Sequence, residues 1–199
     1  IDLARAFHDL GLVPRRTVRF ALFTGEEQGM VGSEAYVARH KNELDRFAAV
    51  IMFDSGSGHT SGFFLNGREE LRKPVNAALD AVGGLNANQH APDAIDGTDN
   101  FDFMISGVPN LVAIQDPNPY LPDYHAESDT LDRVNAREEK NNQAIGAVLL
   151  WSLAENPERP APRQTRAEVE KLVIDTKLDE QMKAFRQWDD FKARKRGLF

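Results

Sequence analysis

The sequence predicts an α/β fold, a mixed and largely parallel central sheet flanked by helices, on three observations. Short apolar runs rich in β-branched and aromatic residues recur at Val18–Phe23, Ala48–Phe53 and Val108–Gln115. Segments with the 3.6-residue spacing of amphipathic helices alternate with these runs, which is the signature of helices packed on a sheet. Two of the runs stop abruptly on carboxylates, Glu26-Glu27 after the first and Asp54 after the second. Open α/β sheets bind ligands in the crevice beyond the carboxyl ends of their strands, so acids at these positions mark a candidate site.

Composition sets the outer limits. At 199 residues, with 41% hydrophobic and 28% charged residues, the chain is long enough to bury one sizeable core. A formal charge of −7 argues against nucleic acid or an anionic membrane surface as partner, since both need a basic face. The single basic run, Lys192–Arg196, reads as a solvated tail. No stretch reaches the roughly 18 apolar residues of a membrane span. There is no cysteine, so disulfides and thiolate metal sites are excluded and any metal must be held by His, Asp and Glu.

Taken in order, Ile1, Ala4, Phe7 and Leu10 have helical spacing and Gly11 follows as a stop, giving a helix over about 1–11. It opens without a starting Met or a cap, and the expectation is that the chain is cut from something longer. Val18–Phe23 is then expected to be a strand buried on both faces, punctuated by Gly25 and Gly29. Ser33 is placed to cap a helix over about 32–44 that faces Tyr36 and Val37 inward. Ala48–Phe53 is a second buried strand, and Gly62–Asn66 a short one. A helix over about 69–83 has Pro74 near its first turn, which tolerates a missing N–H. A short helix near 99–106 precedes the strand at 108–115. Residues 116–130 form a long polar loop with three prolines, and loops of that length inside a compact domain are commonly functional. Asn135–Ala154 is an amphipathic helix with Ile145, Val148, Leu149 and Leu150 as its core face.

Beyond it, 156–164 carries Pro157, Pro160 and Pro162 and reads as a semi-rigid linker. Residues 165–199 form a helical extension whose apolar positions, among them Leu172, Leu178, Met182 and Phe191, are too few for a separate core. The extension is expected to dock on the main body or on a partner subunit.

Glu26, Glu27, Asp54 and His125 are four metal-competent side chains that this topology brings toward one edge of the sheet. Nitrogen and oxygen ligands suit zinc, and a spare carboxylate beside a metal-held water is what a metal-assisted hydrolase needs as general base. On local sequence alone the Glu26-Glu27 pair reads equally well as a solvated acidic turn. His8, His40, His59 and His90 belong to no ligand pattern and read as surface or structural histidines.

Four ordered motifs carry a family resemblance. Arg19–Ser33 (Arg-Phe-Ala-Leu-Phe-Thr-Gly-Glu-Glu-Gln-Gly-Met-Val-Gly-Ser), Val50–Asp54, Gly97–Phe101 with Gly107-Val108-Pro109, and Tyr124–Thr130 together resemble the zinc aminopeptidases and carboxypeptidases of family M28, in particular its carboxypeptidase Q-like branch. The resemblance covers about residues 1–155, which makes this the peptidase-like domain, followed by the linker at 156–164 and the extension at 165–199. It implies a zinc-exopeptidase-like sheet with Glu26 as general base and with Glu27 and His125 on one zinc and Asp54 on a second. Tyr124 takes the place of an oxyanion-stabilising hydroxyl, and Asp99 and Phe101 shape the site wall. The implied substrate is a peptide or dipeptide cleaved near a chain end, in a secreted or periplasmic setting.

The family's upstream His-x-Asp motif and bridging Asp have no counterpart here. The resemblance is therefore to the carboxy-terminal portion, truncated ahead of its first strands, and the 199 residues alone are expected to be inactive. Sheet edges bared in this way, or the carboxy-terminal helices, offer routes to a homo-oligomer. Two other readings stay open: an acyltransferase of the glutaminyl-cyclase type, which shares the fold, and a non-catalytic interaction module that has lost its metals.

Overall fold

A computed structural model describes residues 1–199. The elements follow in the order α1 (Asp2–Asp9), α2 (Val31–Arg39), β1 (Val50–Met52), β2 (Thr60–Phe64), α3 (Arg72–Leu79), α4 (Phe101–Ile105), β3 (Asn110–Gln115), α5 (Ala136–Glu155), α6 (Arg166–Asp175), α7 (Leu178–Ala184) and α8 (Trp188–Lys192). Short 3-10 turns extend α2 and flank α3. The sheet is mixed, in the order β1-β3-β2, with β1 parallel and β2 antiparallel to β3. Val50 lies opposite Asn110 and Phe64 opposite Val112. Because β1 and β3 are parallel, their carboxyl ends deliver Asp54 and the 116–130 loop to the same edge.

The largest departure from the expectation is Val18–Phe23, which joins no strand. A strand is a property of pairing: the apolar run supplies β-propensity, but its backbone forms no ladder with any strand. Leu22 is left 82% exposed and Phe20 45%, and the edge of β1 away from β3 is also unpaired.

Elsewhere the apolar pattern is used as its period dictates. Leu111 and Ala113 of β3 and Phe63 of β2 pack against Val75 and Leu79 of α3 and Ile145, Leu149 and Leu153 of α5. Asn142, buried on α5, ties that helix to the sheet: its Oδ1 accepts from the Thr60 N–H at 2.9 Å and its Nδ2 donates to the Gly58 carbonyl at 2.8 Å. The Asn135 side chain caps α5 by accepting from the N–H groups of Arg137 and Glu138. Val37, Leu44, Phe103 and Val108 form a second cluster, with Phe23 and Tyr36 on its flank.

Residues 165–199 fold back onto the body. Thr165 and Glu168 form a reciprocal capping box that starts α6. Val169, Val173, Leu178, Met182 and Phe191 are buried in one cluster with Met30 and with Phe101, Met104 and Ile105 around α4. Only part of the basic run is solvated as expected: Lys192, Arg194 and Lys195 are exposed, while Arg196 is buried against Asp102.

Candidate active site

The Glu26-Glu27 pair sits on a tight turn that leads into α2. Its ends are tied by the N–H groups of Gly29 and Met30 donating to the Glu26 carbonyl at 2.8 Å, Val31 to Gly25 at 3.0 Å and Gly32 to Thr24 at 3.0 Å. Gly32 is needed for that closure, since a Cβ there would lie 2.4 Å from the Thr24 carbonyl oxygen. The helix start differs from the sequence expectation. Met30, in the left-handed region at φ 60°, precedes α2, and Ser33 lies within the first turn with its Oγ donating to the Met30 carbonyl at 3.1 Å. A non-glycine residue held there costs about 1 kcal/mol, so neighbouring packing must hold it in place.

Across the sheet edge, the 116–130 loop presents its aromatic and histidine side chains to this turn. His125 Nε2 lies 2.7 Å from Glu27 Oε1. Tyr124 stacks on the His125 ring with centroids 3.9 Å apart, and Tyr120 packs beside Tyr124 at 5.0 Å. The Tyr120 ring also lies over Gly56 in the loop after Asp54, where a Cβ would come within 2.7 Å of it. Gln115, at the end of β3, fixes that loop by accepting from the Ser55 N–H at 3.1 Å and donating to the Gly56 carbonyl.

Electrostatics gather the same residues. Burial, and then the negative charges of Asp54, Glu27 and Asp99, push the Glu26 carboxyl above its ordinary value, with His125 pulling weakly the other way. Burial and the Asp54 charge likewise raise Asp99, a buried residue whose Oδ1 has no hydrogen-bond partner. Burial, Tyr124, Asp54, Glu27 and Asp129 push the Tyr120 hydroxyl up to about 12. The five residues singled out from the sequence, Glu26, Glu27, Asp54, Tyr124 and His125, therefore lie on one edge of the sheet. Only Glu27, His125 and Tyr124 are in direct contact.

Two residues depart from the sequence reading. Phe101 is wholly buried beneath the site, in the cluster shared with α6–α8, and forms no part of its wall. Tyr120 stands among the acids although no spacing rule singled it out; the only signal was its place in the proline-rich loop. His59, read from the sequence as a surface or structural histidine, pairs with Glu138 at 3.0 Å. A cavity of about 450 Å³ borders Asp54, Gly56 and Gln115 and is walled on its other sides by the start of α1, Phe20, Phe53 and the first turns of α5.

The donor set has the right chemistry for zinc but is too small to close a site. No group of three His, Asp or Glu side chains is arranged to hold a metal, and Glu27 with His125 makes two ligands where a zinc centre uses at least three from the protein.

Comparison with known proteins gives the family. The model of peptidase family M28 matches residues 1–150. Carboxypeptidase Q of Rattus norvegicus is 31% identical over 150 residues, which are 75% of this chain and 32% of the rat protein. The Homo sapiens carboxypeptidase Q is 30% identical over the same share of each. Among solved structures, a peptidase M28 precursor from Shewanella amazonensis superimposes with a TM-score of 0.72 at 27% identity, covering 82% of this chain and 37% of that one. A zinc aminopeptidase from Bacillus subtilis shares the fold with a TM-score of 0.64 at 17% identity, covering 83% and 42%. The chain thus spans about a third of the length of the curated relatives it matches. It belongs to peptidase family M28.

Proposed function

We propose that this chain, as a member of family M28, is the part of a metal-dependent exopeptidase that carries the general base and one half of the metal ligation. The supporting observation is the contact of His125 with Glu27 beside the partly desolvated Glu26, across 98 residues of sequence. The substrate is a peptide or dipeptide cut at a bond near its end, and we place the protein in a secreted or periplasmic compartment, as the resemblance implies.

Glu26 is suited to take the proton of an attacking water. Its raised carboxyl pKa lies nearer neutrality than that of a free glutamate, which favours both accepting the proton and returning it to the leaving amine. The water oxygen then bonds to the carbonyl carbon, the carbonyl π pair moves onto oxygen, and collapse of that tetrahedral species breaks the C–N bond. The Tyr124 hydroxyl, in an aromatic stack that is half exposed, would donate to the developing oxyanion. Glu27 and His125 are the ligands this chain brings to a zinc; a bound zinc would add Lewis-acid polarisation of the carbonyl. Asp54, which touches neither, would serve a second zinc.

The remaining ligands have to come from outside these residues, so the 199-residue chain with added zinc is expected to show no robust turnover of dipeptide or aminoacyl substrates. Robust turnover would refute the need for further ligands. In a longer form of the protein that is active, Glu26→Gln is expected to abolish kcat, by analogy with removal of other general bases a loss of about 10²- to 10⁴-fold.

A further inference from the structure

We propose that residues 165–199, which lie beyond the family-matched 1–150, are a positioning element of the site: they grip the carboxyl side of the Glu26-Glu27 turn and fix where those acids point. This rests on the peptidase reading only for its functional consequence, because the mechanical claim stands on contacts alone.

Two of those contacts fall on the turn, and a third anchors one of them. Met30, which closes it, is 4% exposed, and five of its eight cluster partners, Val169, Val173, Leu178, Met182 and Phe191, come from α6–α8. Its left-handed backbone persists only where the surroundings over-determine it, and this pocket is that surrounding. Arg196 supplies the second contact, its Nη2 donating to the Gly29 carbonyl at 3.3 Å. The third is the anchor of Arg196 itself. Its Nε and Nη2 donate to the two carboxylate oxygens of Asp102, each at 2.7 Å, its guanidinium lies over the Phe101 ring at 5.0 Å, and Glu34 of α2 is 3.8 Å away. One guanidinium thus links the α4 helix, just after Asp99, to the turn that ends at α2. A lysine lacks the planar fork needed to hold two oxygens and a third carbonyl at once.

The direct test is amide hydrogen exchange on the full 199-residue chain, which needs no metal and no turnover. The informative amides are Met30, Val31 and Gly32, whose donors close the turn. In Arg196→Ala they are expected to exchange about tenfold faster or more, with β2 and β3 unchanged, and millimolar methylguanidinium is expected to restore part of the protection. Arg196→Lys should give an intermediate loss. If Arg196→Ala also loses β2–β3 protection, Met182→Ala, which loosens the Met30 pocket without leaving a buried charge, replaces it with the same expectation. The proposal is overturned if, in the folded variant, the α6–α8 amides lose protection while those of 30–32 keep theirs. A longer form of the protein that keeps normal protection at 30–32 and binds zinc but cleaves no peptide would count against the peptidase reading alone. In an active longer form, the proposal further expects Arg196→Ala to lower kcat with KM little changed.

Discussion

His125 Nε2 lies 2.7 Å from Glu27 Oε1, yet the two side chains are 52% and 61% exposed. Exposed ion pairs contribute at most about 1 kcal/mol, because solvent screens the charges and two long side chains must be ordered. Adding to the cost, His125 is held at φ 55°. The pair is therefore a poor stabiliser. Urea denaturation of Glu27→Gln and His125→Ala should give midpoints within about 1 kcal/mol of the parent. A larger loss in either would make the contact structural.

Asp102 and Arg196 are the opposite case. Burial pushes the Asp102 carboxyl up and the Arg196 fork pulls it back. Burial works against the charge of Arg196 too, but the Asp102 contacts and the nearby Glu34 and Asp96 carboxylates outweigh it, so the guanidinium is held more firmly charged than usual. Removing one member leaves the other charged and buried, so Asp102→Ala or Arg196→Ala alone is expected to cost about 3–5 kcal/mol. The double replacement Asp102→Leu/Arg196→Met should recover most of that, since buried pairs are often matched by apolar residues of similar size. Additive losses across the cycle, measured by chemical denaturation, would show that the two do not act as a pair.

How far the sequence foretold these features depends on whether each is local. Asp54 at a strand end and the helical spacing of Ile145 and Leu149 are local patterns, and both are seen in the structure. The strand expected at Val18–Phe23 was misjudged because pairing is decided by a partner far along the chain. Arg196 was misjudged for the same reason: inside a basic run it looks like its exposed neighbours, and only its meeting with Asp102, 94 residues earlier, buries it. Tyr120 was missed because nothing in a proline-rich loop says which ring turns back over Gly56. The turn glycines were legible as punctuation, but the left-handed Met30 depends on a pocket made by α6–α8 and leaves no trace in its own neighbourhood.

His90 gives a pH prediction with a definite sign. Its Nδ1 accepts from the Phe63 N–H at 3.1 Å, Nε2 is buried without a partner, and burial, helped by the positive charge of Arg72, lowers its pKa. The folded chain therefore binds fewer protons than the unfolded chain as pH falls through the ordinary histidine value near about 6.5. The stabilisation tied to neutral His90 is complete above that value and is lost as pH drops through it toward the lower folded pKa. Urea midpoints measured from about pH 7.5 down to 5.5 should decline, and His90→Asn, which keeps an acceptor for Phe63 but cannot become charged, should flatten that decline. An equal slope in the variant would remove His90 as its source.

Gly32 tests whether closure of the acid turn matters to the fold. A methyl group there, in the first turn of α2, would meet the Thr24 carbonyl oxygen at 2.4 Å, and the Gly32 N–H contact with that oxygen would have to open. Gly32→Ala should therefore destabilise the chain by about 1–3 kcal/mol, although alanine normally favours a helical position over glycine. A neutral or stabilised variant by thermal denaturation would mean that the turn relaxes freely and that its geometry is not imposed by the backbone.

The unpaired segment ahead of that turn carries the last prediction. Leu22 is 82% exposed, Phe20 is 45% exposed, and the edge of β1 away from β3 is free. Apolar side chains beside unsatisfied strand donors and acceptors favour pairing with another chain, whereas a lysine at such an edge opposes it by charge and hydration. The 199-residue chain is thus expected to show concentration-dependent association in sedimentation velocity, and Leu22→Lys should shift it toward the monomer without lowering its melting temperature, because the side chain gives up no buried contact. If the variant associates as strongly as the parent, the attraction lies elsewhere on the surface, and the apolar run is no more than a well-solvated connector between α1 and the acid turn.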